Sequence, residues 1–315
     1  ALLKLYTGRD DNPEPAAEKT AMLIKPITPE PESDTPPKKA TCKGWPFSTT
    51  QAAAKQKTLG RTRATIDLGK NLQLKLIRIP AGQFATGSQR ITVAKPFWMG
   101  QFEVSNRQYA AFDASHDSRM EPGDALHFES IARGFALNKP DQPVARVSWN
   151  RAIEFCKWLS KKSGKKVSLP TGAQWEWACR AGTDTPMWFG KLDADFASKA
   201  NLADATFKHI INYGGYDKAA NIVPPWRPAA GKIDDKYRVS SPIGQFAPNP
   251  WGLHDMHGNV AEWTSGSDKS DSIERRIARG GSWYDRPKRA TSTFRGNYKP
   301  WLGVYNVGFR IVIEE

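Results

Sequence analysis

The chain has 315 residues, of which 39% are hydrophobic and 11% aromatic, with 12 Trp and a formal net charge of +14. This much apolar surface excludes wholesale disorder, and the abundance of Trp, Gly and Pro favours an irregular, loop-rich fold over a helical bundle. No apolar run is long enough to span a membrane.

The positive charge comes without zinc-finger spacing and without a helix-turn-helix pattern, so specific nucleic-acid recognition is not expected. The basic residues are mostly scattered. They fit a solvated surface or an acidic partner such as a polyanion, an anionic lipid or an acidic protein. Cys42, Cys156 and Cys179 are odd in number and form no C-x-x-C pair, which gives no disulfide framework. The chain opens on "ALLKLYTGRD" with no Met. Either a leader has been removed, which implies a periplasmic or extracellular location, or the chain is a piece of a longer product.

Residues 1–60 are rich in Pro, Glu, Lys and Ala and show no hydrophobic period, so they are expected to form an extended arm. Such an arm orders only by packing on its own domain or on a partner. The composition changes before Leu72, and residues 61–315 are expected to form one domain. "LQLKLIRIP" alternates Leu72, Leu74 and Leu76 on one face, which predicts a strand. "AGQF" turns into a second short strand, and "KPFWMGQFEV" predicts another.

"SNRQYAAF" then opens a helix with Ser105 as cap and Gln108 as its capping-box partner. "SWNRAIEFCKWLSKKSG" places Ala152, Ile153, Cys156 and Leu159 on one stripe and stops at Gly164. In "LPTGAQWEWACRAG" Thr171 caps, Gln174 completes the box and Gly182 ends the helix. Cys156 and Cys179 fall on apolar helix faces and read as small buried hydrophobes. Residues 183–250 show almost no periodicity, and a loop of that length in a compact domain needs a clamp, for which a bound ion is one candidate. Short strands are expected at the C-terminus.

Seven segments occur in a fixed order: "IPAGQFATGS", "FEVSNRQYAAF", "PVARVSWNRAIEFCKWL", "LPTGAQWEWACRAG", "PWGLHDMHGNVAEW", "RGGSW" and "NVGFRI". Over about residues 72–315 they resemble the formylglycine-generating enzyme, or sulfatase-modifying factor, family. The resemblance implies an α+β fold, a variant of the C-type lectin fold with small twisted sheets, a few helices and much ordered loop.

In the oxidase branch of this family a cysteine pair after the G-G-S motif binds Cu(I), a soft ion suited to thiolates. Counted from Gly280-Gly281-Ser282, those positions hold Asp285 and Ala290 here. A carboxylate is a hard ligand and alanine is none, so copper is not expected. A related branch makes carbon–sulfur bonds with a histidine-held iron, partly on an N-terminal helical domain. Residues 1–60 contain no His, and this branch finds no support.

The resemblance also implies two calcium sites. One would take the Asn201 and Asp235 side chains with the Leu202 and Tyr237 carbonyls; the other, the Asp255 and Glu262 carboxylates with the Gly258 and Val260 carbonyls. Ca2+ takes several oxygen ligands, which irregular backbone supplies. The plainer alternatives are an Asn cap with a surface Asp, and pairing of Asp255 and Glu262 with nearby Arg. His254 and His257 form an H-x-x-H pair of the kind that binds zinc or iron, a spacing common by chance.

Arg286, Lys288, Arg289 and Arg295 lie where the oxidases receive their peptide, and could hold an acidic segment through forked hydrogen bonds or simply form a solvated rim. Trp283, Tyr284, Tyr298 and Trp301 read as core or rim aromatics before they read as a sugar platform. The expectation is a non-catalytic, calcium-stabilised binding or scaffold subunit of a larger assembly, docked to a protein partner through its arm. The alternatives are a divergent oxidase of peptide cysteine and a carbohydrate- or polyanion-binding module.

Overall fold

A computed structural model describes residues 40–119, 136–206, 231–268 and 274–315. β1 (Arg63–Gly69) and β2 (Leu72–Ile79) form an antiparallel hairpin, turned by Gly69, Lys70 and Asn71 at positive φ. β5 (Phe97–Gly100) continues the sheet, and the last strand of the chain, β11 (Val312–Glu314), is inserted between β5 and the short β6 (Val167–Ser168). The order is β1-β2-β5-β11-β6, and every pairing is antiparallel. β11 is therefore an interior strand of the sheet, and Val312 and Ile313 are buried in it.

Both faces of this sheet are covered. Leu74, Leu76 and Ile313 face α3 (Trp149–Ser163), which contributes Ala152, Phe155, Cys156 and Leu159 to a shared core. Ser148 caps α3 and Gly164 closes it in the left-handed conformation. Ile77, Ile79, Phe97, Met99 and Val312 face the other way. They pack with Trp175, Trp177, Ala178 and Cys179 of α4 (Gly172–Arg180). The capping boxes read from the sequence form at Thr171 and Gln174 in α4, and at Ser105 and Gln108 in α2 (Asn106–Ala110). A hairpin of β3 (Gly82–Thr86) and β4 (Gln89–Val93) stands apart, and its Phe84 stacks on Trp177.

A second, four-stranded sheet runs β10 (Val307–Gly308), β7 (Ala261–Asp268), β8 (Arg275–Arg279), β9 (Gly296–Tyr298). Only β10 and β7 pair in parallel within it. Between α4 and β7 the described residues form isolated bridges, Met187 with Gly190 and Asn201 with Gly258, in otherwise irregular chain. The described part of this chain is held by side-chain hydrogen bonds of Asn201, Asp204 and Asp235.

The expected arm needs one correction. Residues 40–60 belong to the domain, and the compact unit runs Lys38–Glu315. Cys42 and Trp45 are buried, and Phe47 packs edge-on against Trp177. α1 (Thr49–Lys57) buries Ala52 completely, with the Trp251 indole donating to the Ala52 carbonyl at 3.2 Å. Gln56 donates to the carbonyls of Arg78 and Trp251, each at 3.0 Å. The helix has a single buried apolar residue and is held by polar contacts, so it has no apolar period to read. The rest of the arm, residues 1–39, lies outside the described residues.

Candidate functional site

The irregular chain before β7 converges on Asn201, Asp235 and Asn259. Asp235 is buried; one of its oxygens accepts from the Leu202 amide at 2.9 Å and the other from the Tyr237 amide at 2.8 Å. Burial pushes the Asp235 carboxyl up to about 7, and the neighbouring Asp204 charge adds to this. Asp204 in turn accepts from the Asp235 amide at 2.7 Å. Asn201 is wholly buried and donates to the Val239 carbonyl at 2.9 Å, but its side-chain oxygen has no hydrogen-bond partner. All four residues of the first implied calcium set thus meet in one place, with an orphan oxygen among them.

The second set is assembled less completely. Asp255 sits at positive φ, with one oxygen accepting from the Gly244 amide at 2.6 Å and the other buried and unpartnered. Gly258 is also left-handed, and a Cβ there would lie 2.1 Å from the Asn201 carbonyl oxygen, so only glycine lets the two strands of chain touch. Glu262 is taken up elsewhere. Arg310 reaches both its oxygens, at 2.7 and 2.5 Å, and the Trp175 indole donates to it at 2.7 Å. The arginine pairing weighed as the plainer alternative is what forms at Glu262, and its donors leave that carboxylate little capacity for a cation.

Two residues that sequence reasoning missed join these sets. Asn259, at positive φ, accepts from the Ser241 amide at 2.9 Å and donates to Glu103 at 3.0 Å. Glu103 also accepts from the Val260 amide at 3.1 Å. Both lie inside quoted motifs, but only the fold reveals a contact between residues 156 positions apart. Glu103, Asp255 and Glu262 gather around one guanidinium, Arg310. Burial, and then the Asp255 and Glu262 charges, raise the Glu103 carboxyl well above its usual range. Burial raises Asp255 to about 7.

Buried carboxylates thus lie beside oxygens that lack a hydrogen-bond partner, and oxygen is the donor type a hard cation requires. Among the described residues no group of three or more His, Cys, Asp or Glu side chains is arranged to hold a metal. A cation here would therefore draw on Asn201 and backbone carbonyls, as Ca2+ accepts and soft metals do not.

The G-G-S loop lies next to these residues. Gly281 is left-handed, and a Cβ on it would lie 2.9 Å from Ala290, so the loop folds back tightly on itself. Asp285 accepts from the Ser282 hydroxyl at 2.7 Å and pairs with Arg289 at 3.1 Å. Asn306 donates to the same Ser282 oxygen at 2.8 Å. Ala290 is fully buried against Phe196, Ala200 and Leu202. The two positions that carry thiols in the oxidase branch are a paired carboxylate and a core methyl.

His257 donates from Nδ1 to the Ala290 carbonyl at 2.6 Å, so its Nε2 is free to accept from the Trp188 amide at 3.0 Å. Burial drops this imidazole to about 4. His254 turns instead to the Phe246 carbonyl at 2.7 Å. The H-x-x-H histidines thus serve separate backbone contacts. Cys179 lies 3.5 Å from His257 Nε2, but burial holds its thiol up at about 12, as it does for Cys156. All three cysteines are buried and unbridged.

Of the basic rim, Arg286 is half-buried, Arg289 is engaged by Asp285 and covers Phe294, and Lys288 and Arg295 are exposed. Trp283 is core, Tyr284 and Tyr298 are half-buried, and Trp301 is 59% exposed.

A loop-rich α+β domain with these motifs at one site is the formylglycine-generating-enzyme variant of the C-type lectin fold. The chain belongs to the family of the Sulfatase-modifying factor enzyme 1-like domain, whose profile matches residues 67–315. It is 26% identical over 299 residues to the bovine (Bos taurus) "Inactive C-alpha-formylglycine-generating enzyme 2", covering 78% of this chain and 90% of that one. It is 27% identical over 240 residues to the bovine "Formylglycine-generating enzyme", covering 61% of this chain and 57% of that one. Among solved structures, PvdO from Pseudomonas aeruginosa superposes with a TM-score of 0.58 at 24% identity, over 80% of this chain and 98% of that one. That likeness speaks to the fold alone.

Proposed function

We propose that this chain is a non-catalytic binding or scaffold subunit built on the sulfatase-modifying-factor fold and stabilised by calcium. One observation carries the reading: Asp285 and Ala290 stand where the oxidase branch has its thiols, and each is committed to the protein itself. The coverage of nine-tenths of an inactive relative supports it. Without a thiolate pair the loop has no soft ligand for Cu(I).

Calcium would be held by Asn201, Asp235 and the carbonyls of Leu202 and Tyr237. Asp255, with Gly258 and Val260, is the weaker second candidate, since Glu262 is committed to Arg310. Bound there, calcium would supply positive charge to the buried carboxylates and tie the chain around Asn201 and Asp235 to β7. Partner recognition would fall to the N-terminal arm and to Lys288 and Arg295, which present positive charge to an acidic segment of a partner protein.

The test is a Cu(I) titration of the reduced protein against a chromophoric chelator. The proposal expects copper to stay on the chelator, and Asp285→Cys/Ala290→Cys to withdraw it. Tight stoichiometric copper on the unaltered chain would overturn the reading.

A further inference from the structure

The C-terminal half of α3 and the two residues after its Gly164 cap carry five lysines in ten residues: Lys157, Lys161, Lys162, Lys165 and Lys166. All five are exposed. The opposite face of the helix is locked into the core by Ala152, Phe155, Cys156 and Leu159, so the charges stand on a rigid support. Gly164 then turns the chain, and Lys165 and Lys166 are presented off the helix end. Among the described residues only Lys166 of this stretch has an acidic partner, Glu314, and that pair is itself open to solvent at 77% and 46% side-chain exposure.

Helix geometry alone does not account for this array. The negative end of the helix dipole favours cations in the last turn, which Lys161 and Lys162 satisfy. Lys157 lies beyond that turn and one turn from Lys161, a like-charge spacing that disfavours the helix. We infer that this end of α3 is a docking site for a single-chain acidic polysaccharide, separate from the G-G-S loop and not dependent on the reading given to that loop.

Four features select this class of polyanion. The residues are lysines, which act as point charges on sulfate or carboxylate and lack the planar fork that arginine offers to bases. Among the described residues no exposed aromatic accompanies them: Trp158 is half-buried, with Lys162 5.8 Å above its ring, and offers no open stacking platform of the kind a single-stranded nucleic acid requires. Carboxylates flank the stripe, with Glu154 on the preceding turn and Glu314 and Glu315 on the neighbouring strand end. They narrow the cationic strip to less than the broad basic face that duplex DNA covers. Among the described residues, the large exposed apolar side chains Leu192, Trp301 and Leu302 lie outside the stripe, so it has no anchor for a lipid surface.

The test uses the full chain and a fluorescent heparin oligosaccharide as probe, with affinity measured over a salt series. Unaltered protein is expected to bind, with affinity falling steeply as salt rises. Lys157→Glu/Lys161→Glu/Lys162→Glu/Lys165→Glu should lower affinity at least about tenfold and flatten the salt dependence, because counterion release scales with the cations involved. Its melting temperature should fall by no more than about 5 °C, since every altered side chain is solvent-exposed and only Lys161 and Lys162 lie in the last turn of α3. Lys288→Glu/Arg295→Glu should leave binding within about twofold. Equal binding by the unaltered and four-lysine variants would refute the site. Tighter, lysine-dependent binding to a short DNA duplex or to anionic vesicles than to heparin would refute the polysaccharide.

Discussion

If calcium fills the buried site as proposed, its withdrawal is the perturbation that probes that site most sharply. Asn201 and Asp255 each hold an oxygen that is buried without a hydrogen-bond partner. A polar atom left in that state costs about 1–3 kcal/mol, so the two together are worth about 2–6 kcal/mol. Ligand binding gives a similar figure from the other side: about 2.7 kcal/mol at a hundredfold excess of ion over Kd. For a domain of roughly 150–250 residues, 1 kcal/mol moves Tm by about 2–4 °C. Differential scanning calorimetry in EGTA should therefore show Tm about 5–10 °C below that in millimolar calcium. Asp235→Asn should lower Tm in both conditions, and by more in calcium, because the Asn NH2 cannot accept from one of the two amides that Asp235 serves. Identical melting with and without calcium would refute the reasoning, and the orphan oxygens would then need another explanation.

Further outcomes follow from the same structure. In EGTA, Asp235 and Asp255 titrate near 7 when folded, against about 4 when unfolded, so between those values the folded state holds more protons. Calcium-free protein should thus lose stability as pH rises from about 4 to about 7 and level off above, while the gain from added calcium grows over the same range; a calcium-free Tm that climbs across that window would contradict this. Arg310→Met should destabilise by about 3–5 kcal/mol in urea unfolding, because it strands the buried Glu262 carboxylate. Gly258→Ala should cost more than about 3 kcal/mol, since its φ of +80° and a Cβ 2.1 Å from the Asn201 carbonyl forbid a side chain. Removing residues 1–39 should leave Tm unchanged while reducing retention in the native assembly, whereas removing residues 1–60 should cost on the order of 5 kcal/mol by stripping Cys42, Trp45 and Ala52 from the core; a large Tm fall from the shorter deletion would contradict the arm's proposed role.

Local signals were legible where one segment carried both halves of an interaction. The capping boxes at Ser105 and Thr171 form as their three-residue spacing requires. The α3 stripe is buried at Ala152, Cys156 and Leu159, with Phe155 taking a core place that Ile153 takes only in part. α1 was not legible, because Gln56 and Ala52 are fixed by carbonyls and an indole from distant segments. The candidate site divides in the same way. Asn201, Asp235, Asp255 and Gly258 could be named from motif spacing. Glu103 acquires its role only through Asn259, and Arg310 through Glu262, across 156 and 48 positions of chain. The surplus of buried carboxylate is a property of the fold, and no local pattern encodes it.

The central claim is that this domain binds without catalysing. A peptide containing Cys-x-Pro-x-Arg, incubated with the reduced protein, Cu(I) and oxygen and followed by mass spectrometry, tests it most directly. The account predicts that the cysteine remains unconverted with the unaltered chain, because Asp285 is held by Ser282 and Arg289 and Ala290 is buried in the core. Catalytic formation of formylglycine in that peptide would contradict it.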